Sequence, residues 1–173
     1  MPNHVANKIV FFATSKRTQE IVRHVFVDGE FDFNTLMSAP ANIYQGTLGE
    51  ADDEDFKSCT WLEWNLANWG TKWNAYNSSY TTSNGVTEIL FHTAWSPPFP
   101  VIVAFANTFK IDFEHRYCEG SQSFWGIEQW KYDPKEEDCI RIKCRKSERD
   151  DLKDLCLELM GYDIDKEEDE DDE

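Results

Sequence analysis

The chain has 173 residues and a formal net charge of −16, with 33 acidic against 17 basic side chains. That length suits a single domain with a proper core, and aromatics at 14% offset a hydrophobic content of only 40%, because each buried ring removes a large apolar area from water. The charge repels phosphate backbones, which disfavours direct nucleic-acid binding and suits a partner with a basic surface.

The charge is uneven. Residues 163–173, DIDKEEDEDDE, hold nine acids and one lysine, half of the net charge, and read as a disordered, solubilising tail. A second block, EADDED at 50–55, adds five acids. The five cysteines (59, 118, 139, 144 and 156) form an odd set without a C-x-x-C pair. No N-terminal stretch resembles a signal peptide and no run is long enough to span a membrane. The expectation is therefore reduced thiols in a cytoplasmic protein, in the host cytoplasm if the gene is carried by a phage.

HVANKIVFFA at 4–13 predicts a strand. Thr14 or Ser15 then caps a helix with Ile21, Val22, Val25 and Phe26 at helical spacing, ending near Asp28-Gly29. Residues 30–57 read as a long ordered loop, and CTWLEWNLANW at 59–69 as a short helix stopped by Gly70. Around Ser83-Asn84-Gly85 a hairpin is expected, its second strand placing Ile89, Phe91, Thr93 and Trp95 on one face. Ser96 is expected to cap the next helix, with Pro97 and Pro98 in its first turn and Val101, Ile102, Phe105 and Phe109 as the buried stripe.

KIDFEHRY at 110–117 alternates, with Ile111, Phe113, His115 and Tyr117 inward. SFWGIEQWKY and CIRIKC predict further strands. The last helix carries Leu152, Leu155, Cys156, Leu159 and Met160 as an apolar stripe and stops at Gly161. Together these elements predict an α+β, ferredoxin-like split β-α-β antiparallel sheet. It has an inserted loop and short helix at 30–75 and an extra C-terminal strand and helix, all in one domain over 1–162. The second sheet face must be covered by the insertion or the last helix, or stay open for binding.

Signatures of chemistry are missing: there is no Walker loop, G-x-G-x-x-G, H-E-x-x-H or G-x-S-x-G, and no zinc-type cysteine pairing. His92 and His115 fall on opposite faces by alternation, which argues against a metal site. Cys156 reads as a small core residue, whereas Cys59 and Cys118 lie beside predicted loops and invite a reactivity test. No catalytic residue, metal or cofactor is assigned.

NWGTKWNAY at 68–76, FDFNTLMSAP at 31–40 and FHTAWSPPFPVI at 91–102, with the opening PNHVANKIVF, together resemble the YubB-like family of phage and plasmid proteins over roughly residues 2–117. The resemblance implies a ferredoxin-like domain and a mobile-element origin. It implies no activity and no catalytic residues.

Three functions are weighed. The first is a non-catalytic accessory protein that binds and inhibits a host protein, of the kind that counters host defences, presenting acids in a DNA-like array; Asp52, Asp53, Glu54 and Asp55 are its candidate residues. The second is a small-ligand or nucleotide binder, or an enzyme, with a pocket around Trp69, Lys72 and Trp73, joined by His92 or Trp95. The third is nucleic-acid binding through Trp125 and Trp130 with a patch of Arg141, Lys143, Arg145 and Lys146. The first is preferred. Trp69 and Trp73 are read chiefly as packing residues that dock the insertion, with Lys72 the residue to test for binding.

Overall fold

HVANKIVFF forms the central strand, β1 (His4–Phe12), and this strand organises everything else. The computed structural model describes residues 3–41, 43, 60–120, 124–145 and 149–161, so the acidic block at 50–55, Cys59, Lys146 and the acidic tail lie outside the described residues.

Thr14 accepts a hydrogen bond from the Arg17 amide and starts α1 (Ser15–Val25), which buries Ile21, Val22 and Val25. Asp28-Gly29 does not end this helix directly. With φ of 52° and 88°, the pair makes the tight turn of a small hairpin, β2 (Phe26–Val27) and β3 (Glu30–Phe31). Both central positions of such a turn need positive φ, which Asp and Gly tolerate. A 3-10 turn at Phe33–Thr35 follows. Thus the expected loop at 30–57 starts with ordered structure, and Phe31 and Phe33 reach the core.

Thr60 opens α2 (Trp61–Asn68) by accepting from the Glu63 amide and donating to the Glu63 carboxylate, a side-chain N-cap. Gly70, at φ 75°, ends it as expected. β4 (Tyr76–Ser83) and β5 (Val86–Ala94) are joined by Asn84-Gly85, the predicted hairpin. The next helix, α3 (Phe99–Phe109), starts later than expected. Ser96 does not cap it; its hydroxyl donates to the Gly70 carbonyl, while Pro97 and Pro98 precede the helix and Pro100 occupies its first turn. β6 (Phe113–Glu119), β7 (Trp125–Asp133), β8 (Asp138–Arg145) and α4 (Arg149–Met160) complete the chain.

The sheet runs β4-β5-β1-β6-β7-β8, and β1 pairs antiparallel with both β5 and β6. Strands β4, β5, β1 and β6 with α1 and α3 make the ferredoxin-like split β-α-β unit. Strands β7 and β8 then extend it beyond β6, so the unit's own edge becomes interior.

The inner face carries Ile9, Phe11, Ile89, Phe91 and Phe113 against Ile21, Val25, Ile102 and Phe105 from the helices. Gly126 allows one close approach there, since a Cβ on it would lie 2.4 Å from the Tyr117 hydroxyl. On the outer face, Leu155, Cys156 and Leu159 of α4 pack on Ala6 and Cys118. Cys118 is buried, not loop-exposed, and pairs with Cys156 in a disulfide across 38 residues. This corrects the expectation of reduced thiols at those two positions. Cys139 is a buried free thiol, pushed above the ordinary thiol range first by burial and then by Asp138 and Asp112. Helix α4 covers only part of the outer face, leaving Phe12 75% exposed near Val86 and Ile142.

Polar groups fix the seating of α4. Lys8, only 7% exposed, bridges Glu88 and Glu158 at 3.0 Å each. Arg116 bridges Glu158 and Glu114 at 2.6 Å. Burial works against the Lys8 charge, but Glu158 and then Glu88 outweigh it and hold the amine above its ordinary pKa. Replacing Glu158→Leu leaves Lys8 short of one carboxylate and should cost about 2–3 kcal/mol. Adding Lys8→Met to that variant should recover most of the loss, because the stranded charge goes with it. Urea unfolding of the two variants checks this, and equal stability of the two would contradict it.

Candidate interaction site

NWGTKWNAY is stitched to the end of β5 by its own short polar groups. The Thr71 hydroxyl, fully buried, donates to the Ala94 carbonyl at 2.7 Å and accepts from the Ala94 amide at 3.2 Å. Asn65 donates to the Lys72 carbonyl at 3.0 Å, and Asn74 accepts from the Phe33 amide at 2.9 Å. Gly70 is required at its φ of 75° and by contact, since a Cβ there would sit 2.9 Å from Pro100 Cδ.

The three residues singled out in this stretch separate. Trp69 is buried, stands edge-on to Phe33 and Trp64, and donates its indole N–H to the Met37 carbonyl. It packs in the core, in keeping with its chief reading from the sequence. Trp73 is half-buried. Lys72 Nζ lies 4.9 Å from the Trp73 ring centre and 4.6 Å from that of Trp95. A cation held between two indoles is stabilised by both ring faces.

Trp95 is the unusual member. It is 41% exposed and its φ is 77°, a left-handed conformation that a bulky residue rarely adopts. Its amide donates to the Asn3 carbonyl at 2.9 Å, so the ends of β1 and β5 hold the strained backbone in place. Alternation placed Trp95 on the strand with Phe91. The positive φ, invisible in the sequence, turns it out toward Lys72.

A second polar cluster lies buried on the inner face. His115 is fully buried, with Nε2 3.1 Å from Asn7 Oδ1 and Nδ1 3.5 Å from Glu128 Oε2. Arg141 donates to the other Glu128 oxygen at 2.6 Å. Asn7 in turn donates to the Val5 carbonyl and the Thr93 hydroxyl. Burial pushes His115 below the ordinary imidazole range, against the pull of Glu128. For Glu128 burial would raise the pKa, but His115 and Arg141 outweigh it and keep the carboxyl below its usual range. The sequence marks none of this, because Glu128 occurs among aromatics and only the β6–β7 register sets it opposite His115. Each member of this strip is hydrogen-bonded to the next, which offsets the cost of burying them.

The aromatic residues considered for base stacking make contacts within the fold. Trp130 is buried and stacked on Phe113, Trp125 packs under α4, and Arg141 is engaged by Glu128.

These observations define an α+β protein of the ferredoxin-like class. Residues 68–171 match the family described as the ferredoxin-like domain in Api92-like protein, and the chain belongs to that family. Two of the three motifs noted in the sequence, NWGTKWNAY and FHTAWSPPFPVI, fall within the matched region. A crystal structure of protein api92 from Yersinia pseudotuberculosis is similar in fold, with a TM-score of 0.50 and 10% identity over 86% of this chain and 99% of that one. No curated protein sequence matches significantly. Among the described residues no helix is long and apolar enough to cross a membrane.

The buried imidazoles make stability depend on pH. His115 and His92 both titrate below the ordinary value of 6.5, chiefly through burial, so the unfolded chain takes up protons first. Their contribution is complete above that value and is lost as the pH falls through it toward the native pKa. Urea titrations at about pH 7.5, 6.5 and 5.5 should show unfolding free energy falling toward acid, with a shallower fall in His115→Gln. A flat profile contradicts the assignment.

Proposed function

We propose that the chain is a non-catalytic interaction protein whose anchor is Trp95, supported by Lys72 and Trp73. The carrying observation is the strained, exposed indole. A left-handed backbone costs about 1–3 kcal/mol and persists where a site needs the geometry, and tryptophan leads the residues that dominate binding energy at protein interfaces. Lys72 holds the ring from one side and leaves the rest of it to solvent.

The partner suited to this surface is a host protein with a basic face, steered by the net charge of −16. Asp52, Asp53, Glu54 and Asp55, which lie outside the described residues, are the acids this reading assigns to the contact. The resemblance to the YubB-like family supports a phage- or plasmid-type accessory role, with the target a defence or nucleic-acid-handling protein that is inhibited on binding.

Affinity capture from host lysate tests the reading. The wild-type chain should recover a basic protein at low salt and lose it as salt rises. Trp95→Gly should abolish recovery while leaving stability within about 1 kcal/mol, since glycine relieves the strain as it removes the ring. Recovery by Trp95→Gly equal to wild type, or no basic protein at any salt, would overturn it.

A further inference from the structure

The outer face carries a second site, at the end where β1 starts and β5 finishes. Tyr76 on β4 is directly opposite His92 on β5. His4 on β1 pairs with Ala94, and His92 pairs with Ala6, so the two histidines are diagonal neighbours on one face, about 7–8 Å apart at the backbone. The Tyr76 ring lies 5.8 Å from His4 and 5.7 Å from His92. The three side chains line a cavity of about 520 Å³ together with Asn77, Gly120 and, from α4, Leu159 and Met160.

Hydrogen bonding sets the tautomer of His4. The Tyr76 hydroxyl has one hydrogen, and the Thr93 carbonyl accepts it at 3.3 Å. His4 Nδ1, in hydrogen-bond contact with the same hydroxyl, is therefore the donor. That leaves His4 Nε2 with its lone pair free, the way metal-binding histidines are oriented by a second hydrogen bond. His92 Nδ1 is buried without a hydrogen-bond partner.

The lining chooses the ligand's sign and type. It contains no lysine or arginine, and a chain of charge −16 attracts cations. Two imidazoles and a thioether are soft-to-borderline donors, unlike the oxygen sets that hold calcium or magnesium. Among the described residues no three His, Cys, Asp or Glu side chains gather as ligands, so zinc's usual sets are not formed, whereas copper accepts the methionine sulfur as third donor. We propose that His4, His92 and Met160 form a copper-binding site, with Tyr76 positioning His4.

Titration of the full chain with Cu2+ in excess Mg2+, which occupies the carboxylates, tests this. One equivalent should bind with nitrogen hyperfine coupling in the electron paramagnetic resonance spectrum and raise the melting temperature. His4→Ala, at an exposed position, should weaken affinity about tenfold or more, and Tyr76→Phe by a smaller factor, about the low end of 10–100-fold for an orienting partner. Met160→Leu should reduce affinity for Cu+ more than for Cu2+. Melting of each metal-free variant separates a binding loss from a folding loss. Unchanged affinity in His4→Ala, or a bound signal without nitrogen coupling, overturns the assignment.

Discussion

Lys8 sits in the middle strand of a six-stranded sheet and is nearly buried, so its charge must be answered from within the protein. A buried cation lacking partners would cost several kcal/mol. Glu88 answers from the neighbouring strand, but Glu158 comes from α4, and so does the contact to Arg116. The need to neutralise one lysine therefore sets where the last helix lies. Once α4 is seated, Leu155, Cys156 and Leu159 cover Ala6 and Cys118, and β1 is buried on both faces between its exposed ends, His4 and Phe12.

Coverage of both faces separates the molecule into two chemical regions. The inner face is a jigsaw of aromatic rings, with Phe31, Phe33 and Phe91 in edge-to-face contact, an arrangement that rings prefer. A polar strip within it, Asn7–His115–Glu128–Arg141, is connected end to end, and a connected network avoids the desolvation cost of orphaned groups. The outer face is built from ion pairs and a thin apolar contact. Trp95 and Lys72 lie at the rim where β1 starts and β5 ends.

Much of this architecture was legible because periodicity survives in a single sequence. Alternation in 113–117 placed Phe113, His115 and Tyr117 together, and all three are buried. Asn84-Gly85 announced its hairpin, and the stripe of Leu155, Cys156 and Leu159 announced the last helix. What escaped depends on tertiary partners. Ser96 looked like a cap, but the Gly70 carbonyl competes for its hydroxyl. Cys118 and Cys156 looked unrelated until α4 crossed β6. At the candidate site the sequence read Trp69 chiefly as packing, and Trp69 is in the core, while it marked Lys72 for a test without showing the second indole beside it. The orientation of Trp95 rests on one backbone dihedral, which no residue pattern encodes.

Extension of the sheet by β7 and β8 has a further result for the protein's behaviour in concentrated solution. An exposed outer strand offers unpaired amides and carbonyls to any other chain, and Ile140 and Ile142 stand half-exposed along β8. Yet the same strand is written DCIRIKCR, with a cation at every second position from 141 to 145 in a chain otherwise rich in acids. Two such strands brought edge to edge would set like charges side by side. At this edge the sequence sets charge against the ladder pairing that an open strand invites.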